Sequence, residues 1–381
     1  MTYLGMEDHF LGDKVSITYR PAWPKETLQV LPAAMSLLAS LTSAASLLGT
    51  PVDIYYYGTM FVYYATYLTI KLFIPKFHYI GSVSIYAYLE QRFSLTIRIL
   101  VTCTYILVTI LYMSIILYGP SLALSQVTGL NIWVVIGSCG LACTIYTSIG
   151  GMKAVIWTDV IQASVMFISL IVSIVIGVID AGGISKVFET VKNGNRLQLS
   201  VISLDPSIRY TIWSVLIGMT FSSLANYACI QTQAQRYIVA WANYTMHALM
   251  QMLYVCVGCL IYAKYSQCDP LRAKLISRPD QLYPLFVIET FGRFPGLTGL
   301  FISSILSATL STFSSGVNSI ATVILEDVYK RLSNNQSISN KCQIFYQIFG
   351  AFAAPILGVY LLGLFSSRVK SQVNIGILFL E

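Results

Sequence analysis

A polytopic, all-α membrane protein is the fold class this sequence predicts, and three observations predict it. Of 381 residues, 56% are hydrophobic and only 10% charged, and the mean hydropathy is +0.70. Globular domains carry about 25% charged residues. Apolar runs close to or longer than the ~18 residues needed to cross a bilayer recur along the chain. These runs are continuous instead of alternating, which excludes a β-barrel and leaves helices that satisfy their own backbone groups in lipid.

Taken in order, residues 1–26 are polar and rich in Pro and aromatics, and are expected to form a cytoplasmic N-terminal segment without a cleavable signal. A first span is expected over 27–49, rich in Ala, Ser and Thr, ending at the breaker Gly49-Thr50-Pro51. A second is expected over 55–75, with Lys71 snorkelling near its end. Lys76, His78, Arg92 and Arg98 against Glu90 place the next connection in the cytoplasm. Spans follow at 99–126, 131–149 and 154–180, the last two separated by a tight turn at Gly150-Gly151. A polar external loop over 181–209 leads to spans at 210–232 and 241–265. A second external segment, 266–293, is expected to be partly helical. Spans at 294–325 and 342–365 complete one membrane domain, 27–366, before a tail at 367–381.

The span at 294–325 has an unusual composition. Ten of the twenty residues from Ser303 to Thr322 are Ser or Thr. Ser307, Ser311, Ser314 and Ser315 fall at i, i+4, i+7 and i+8 and share one helical face. A row of oxygens without matching charges, held in an apolar medium, suits a hard cation. Single hydroxyls of this kind more often bond back to the i−4 carbonyl or pack helices closely. The spans 27–49 and 210–232 are both rich in small and polar residues and lie five helices apart. Paired interrupted helices in corresponding positions point to an inverted-repeat secondary transporter.

Four stretches carry a resemblance: SLLASLTSAASLLGTPVDIYYYG at 36–58, GGMKAVIWTDVIQ at 150–162, NYACIQTQAQRYI at 226–238, and LSTFSSGVNSIATVILEDVYK at 310–330. Together they resemble the sodium/solute symporter family, and within it the sodium-coupled monocarboxylate, multivitamin and iodide branch. The resemblance covers most of residues 5–330. It implies a LeuT-type five-plus-five inverted-repeat core in the plasma membrane, with Na+ as the coupling ion and no other cofactor. The solute would be small, an anionic organic molecule or iodide. The resemblance also implies a sodium site built from carbonyls of Ala39 and Thr42 at the break of the first core helix. Facing them would be the Ala308 carbonyl and the hydroxyls of Ser311 and Thr312. Asp159 and Gln162 match residues implicated in ion release or a second ion. Tyr227, Gln231 and Ser43 match positions on the substrate cavity.

Against the family pattern, Lys330 is followed by a polar stretch, and a further helix is missing near 331–347, so the second repeat is expected to be incomplete. The chain begins past the family's usual extra first span, and the spans after 365 are lacking. The branch often has Trp where Ser223 stands and Arg where Tyr56 stands. A non-transporting protein of the same fold, such as a sensor, a partner subunit or a truncated product, is therefore the second expectation. An enzyme is least expected: three His and eight scattered Cys form no nucleophile–base or metal constellation. Cys256 and Cys259 read as packing residues inside an apolar run. The net charge of +7 is spread over loops and calls for no nucleic-acid partner. Sequons at Asn243 and Asn335 are expected to be unused.

Overall fold

The computed structural model of the chain describes residues 30–62, 86–128, 131–198, 201–203, 205, 208–222, 240–276, 278–292, 294 and 296–329. Nine helices are described: α1 (Val30–Leu41), α2 (Ala44–Tyr57), α3 (Ala87–Arg92), α4 (Leu95–Thr128), α5 (Ile132–Ala181), α6 (Ile184–Asn193), α7 (Ala240–Tyr265), α8 (Leu282–Phe291) and α9 (Leu297–Val323). No strand occurs among the described residues. A π-helical turn, Ile324–Tyr329, continues α9. The expected spans at 55–75 and 210–232 lie partly outside the described residues. The span at 342–365, the stretch 331–347 and both chain ends lie wholly outside them.

The first span is broken, but not where its sequence is weakest. α1 and α2 meet at Thr42–Ser43 with a 70° bend. The Ser43 N–H turns aside to the Ser46 hydroxyl at 2.9 Å, while Ser43 Oγ accepts from the Ser46 N–H at 3.4 Å. This reciprocal capping box starts a new helix. The breaker expected at Gly49-Thr50-Pro51 is a correction, because α2 runs through all three residues to Tyr57. Tertiary packing overrides the proline. Pro51, Val52 and Ile54 are buried. At Gly258 the backbone of α7 comes so close that a Cβ would sit 2.7 Å from Ile54 Cβ and 2.8 Å from the Pro51 carbonyl oxygen. Helix ends then at Gly58, whose φ of 84° suits a residue without a Cβ.

The tight turn expected at Gly150-Gly151 lies inside α5, between two apolar helices. α5 is one run of 50 residues, capped at its start by the Asn131 side chain and at its end by Gly182 in the left-handed region. Asp159 lies within electrostatic reach of Cys143 and Tyr146, which a straight helix would hold about 20–24 Å away, so α5 folds back between its two apolar stretches. Its apolar stretches are Ile132–Ser148 and Lys153–Ala181. The expected 181–209 loop contains α6, a short amphipathic helix that buries Val187 and Val191. The segment 266–293 is partly helical, as expected, with a 3-10 turn at Pro279–Gln281 ahead of α8.

Two apolar clusters hold these helices. One joins α2, α5, α7 and α8 to the first half of α9 through Leu47, Met166, Tyr254, Phe286 and Ile305. The other joins α4 and the first part of α5 to the second half of α9 through Met113, Leu117, Cys143, Phe313 and Val317. α9 thus belongs to both, and its hydroxyl-rich middle is enclosed between them.

Candidate functional site

At the break after Leu41 the helical ladder loses its donor, because the Ser43 N–H bonds elsewhere. The Ala39 carbonyl, whose ladder partner would be that N–H, is met from across the bundle by Ser311. The Ser311 hydroxyl lies 2.9 Å from the Ala39 oxygen and 3.1 Å from the Ala308 oxygen. Thr312 Oγ1 lies 3.0 Å from the same Ala308 oxygen. A hydroxyl carries one proton, so Ser311 serves two carbonyls with one donor. Ala39 and Ser311 are fully buried, and Thr312 is buried at the same level. Four of the five residues assigned to the ion by resemblance are therefore joined in one uncharged oxygen cluster. The fifth, Thr42, is buried at the break and donates its N–H to the Leu38 carbonyl at 2.9 Å.

The remaining hydroxyls of α9 sort themselves by partner. Ser303, Ser304, Thr309, Ser314 and Thr322 each donate to a carbonyl three or four residues back. Ser311 and Ser315 reach α1, and Ser314 also meets Tyr146 of α5. Ser315 meets Ser40 of α1 at 2.7 Å. The face inferred from spacing is thus real, but its contacts to α1 narrow to two positions.

Asp159 is fully buried on α5 and accepts from Ser36 of α1 at 2.5 Å. Three elements converge here: α1 offers Ser36, Ala39 and Ser40, α5 offers Asp159, and α9 offers Ser311 and Ser315. Gln162, one turn beyond Asp159, has a buried Oε1 with no hydrogen-bond partner among the described residues. Buried acceptors are normally paired, so this amide oxygen is available to a donor or a cation. Ser43 is buried and spends its hydroxyl on capping α2. Tyr227, Gln231 and Ser223 lie outside the described residues.

Sequence reasoning missed Ser36 and Ser40. The available signal was their i, i+4 spacing on the helix that also carries Ala39. It also missed a charged cluster at the far end of α9. There Asp327, fully buried in the π-turn, accepts from Arg98 Nε at 3.0 Å and from Arg98 Nη2. Thr102 donates to its second oxygen at 3.1 Å, and Arg98 Nη1 reaches Glu90 at 2.5 Å. Asn243, part of a sequon, is buried on α7 and donates to the Ala34 carbonyl at 3.1 Å, which keeps it from modification.

Comparison with known proteins fits this geometry. The model of the sodium:solute symporter family matches residues 25–347. Sodium-coupled monocarboxylate transporter 2 of Danio rerio is 41% identical over 312 residues, covering 78% of this chain and 50% of that protein. The Bos taurus protein of the same name is 38% identical over 379 residues, covering 91% and 61%. The Homo sapiens sodium/iodide cotransporter is 36% identical over 383 residues, covering 89% and 60%. The chain thus spans about half to three-fifths of the length of these relatives. Among solved structures, the substrate-bound outward-open state of a Na+-coupled sialic acid symporter matches with a TM-score of 0.75 at 26% identity. That match covers 90% of this chain and 75% of that one. It bears out the all-α, LeuT-type core; the helix count of the second repeat rests on residues outside those described. With the family model, the relatives and the fold in agreement, this chain is a multi-pass membrane protein that belongs to the sodium:solute symporter family.

Proposed function

We propose that the chain carries out sodium-coupled symport of a small solute across the plasma membrane by alternating access. One observation carries this reading: the Ser311 hydroxyl stands between the Ala39 carbonyl at the helix break and the Ala308 carbonyl of α9. A sodium ion would replace the shared proton bonds with direct coordination by Ala39, Thr42, Ala308, Ser311 and Thr312. All of these donors are neutral, so the ion would be held weakly enough to leave again, as transport requires. Asp159 and Gln162 would guide its release or hold a second ion. An acid buried in a membrane helix is a functional candidate by default. Tyr227, Gln231 and Ser43 would face the solute.

The names of the relatives support a monocarboxylate or iodide as the solute, and the resemblance in sequence adds a vitamin-like organic anion. One sodium crossing ~60 mV contributes about 1.4 kcal/mol. A tenfold sodium gradient adds about the same, which together support about 100-fold accumulation of a neutral solute. The test is uptake of labelled lactate, nicotinate and iodide by cells expressing the chain, with sodium against choline. Sodium-dependent uptake lost in Thr312→Ala is the expected result. Absence of any sodium-dependent uptake would favour the second reading, a non-transporting protein of this fold.

A further inference from the structure

The lipid-exposed side of α5 continues past the end of its span. Along Lys153–Ala181 the exposed residues Ile161, Ile168, Ile171, Val175 and Ile179 recur at intervals of three, four and seven, so they share one side of the helix. Ile179, in the last turn, is 73% exposed. Gly182 and Gly183 then turn the chain, both with positive φ, and α6 begins at Ile184.

α6 carries its four apolar residues, Ile184, Val187, Phe188 and Val191, on an arc of about 100°. The protein covers only half of that arc. Val187 and Val191 are buried in the cluster shared with α2, α5 and α7, whereas Ile184 is 73% and Phe188 57% exposed. Lys192 flanks the exposed half, and Lys186 and Glu189 lie on the opposite side of the helix. Single exposed apolar residues are ordinary on a protein surface. A pair one turn apart that prolongs a lipid-facing stripe is not.

The depth of α6 follows from what holds its ends. Asp180 of α5 accepts from Lys264 of α7 at 2.9 Å, so these two spans end at one level. α6 starts directly beyond that level. Its other end is Gly194, where a Cβ would lie 2.1 Å from the Tyr262 hydroxyl, and Tyr262 sits one turn before the end of α7. Just past it, Arg196 donates to the Tyr56 carbonyl at 2.6 Å, near the end of α2. A helix about 15 Å long is therefore held at both ends where the spans finish, and its axis runs along the membrane face.

We propose that α6 is an interfacial helix, with Ile184 and Phe188 seated in the leaflet at which α5 ends and Lys192 at the lipid phosphates beside them. The bilayer is the occupant of the exposed half, because that half continues the lipid-facing side of α5. Amphipathic helices of this kind bury their apolar side about 5–10 Å into the boundary of headgroups and acyl chains. A lysine at the edge keeps its stem in the apolar layer and its ammonium at the headgroups. This placement needs only the membrane span of α5, and is independent of sodium coupling.

The test is photocrosslinking of the full chain in nanodiscs of phosphatidylcholine, with benzoylphenylalanine in place of Phe188 and, in a second chain, in place of Glu189. Both positions are exposed, so neither replacement disturbs the core. After irradiation, the peptide carrying the probe is expected to gain the mass of one phosphatidylcholine about fivefold more often from position 188 than from 189. A crosslink from position 188 to a second copy of the chain would assign the face to self-association and overturn the lipid seat. Lipid adducts equal or absent at the two positions would place α6 in water and overturn it as well. In a second measurement, Phe188→Ser should speed hydrogen–deuterium exchange over 184–194 by about threefold, and Phe188→Leu should leave it at the parent rate. Equal rates in all three chains would overturn the anchoring.

Discussion

Helix α9 carries two buried polar joints that differ in kind. Near its middle, Ser311 and Ser315 meet Ala39 and Ser40 through neutral oxygens and single protons. Near its end, Asp327 meets Arg98 through an ion pair backed by Thr102 and Glu90. The charged joint is complete in itself, since each charge has its partner and little is left to recruit a ligand. The neutral joint has surplus acceptors and few donors, so a cation can enter it without displacing a charge. Burial of polar groups thus does two different things on one helix: it locks one end and leaves the middle with more acceptors than donors.

Mutation can break this comparison at either joint. The largest effect is expected at the charged end. Asp327→Ala removes the buried partner of Arg98, which keeps only Glu90, and breaking such a buried pair costs about 3–5 kcal/mol. A thermal unfolding curve in detergent should show it, and the paired change Arg98→Met with Asp327→Leu should recover most of the loss. Next is Ser36→Ala, which removes a donor from the buried Asp159 carboxyl, a bond of about 1.5–3 kcal/mol. Here the sodium dependence of unfolding should weaken along with stability. Ser311→Ala leaves the Ala39 carbonyl without its donor, at about 1–3 kcal/mol. Binding of labelled sodium to the purified chain should fall at least tenfold, a larger effect on the ion than on the fold. The smallest change is expected for Ser303→Ala, whose exposed hydroxyl only bonds back to Leu300. That variant should stay within about 0.5 kcal/mol of the parent, and an ion defect there would show that the whole hydroxyl face takes part.

The membrane class, the hydroxyl-rich helix and its Ser311 and Ser315 were legible in the sequence, whereas Ser40 of the neutral joint was not. Composition declares the lipid environment, and spacing places Ser311 and Ser315 on one face. The resemblance to a known family supplied Ala39 and Ala308, whose carbonyls no side-chain pattern could reveal. Local pattern did not place the helix ends, although the resemblance put the first break at Ala39 and Thr42. Gly49-Thr50-Pro51 is a local breaker, yet α2 passes through it. For α2, packing of Pro51 and Ile54 against α7 at Gly258 outweighs local preference. Thr42–Ser43 has no such breaker, and the chain turns 70° there because Ser43 and Ser46 cap a new start. The pairs Ser36–Asp159 and Arg98–Asp327 were hidden for another reason. Their partners lie 123 and 229 residues apart, and no local pattern links them.

The 275 residues between Ser40 and Ser315 also set an order of assembly. A ribosome adding about 5–20 residues per second needs on the order of 14–55 seconds to make Ser315 after Ser40. Through that interval α1 sits in or beside the membrane with its hydroxyls and the Ala39 carbonyl lacking their final partners. The nascent chain therefore has to shelter the polar groups of α1 on α5, through Ser36 and Asp159, until α9 emerges. A pulse-labelled chain halted before residue 311 should hold α1 loosely, with its backbone open to exchange, and tighten only when synthesis resumes.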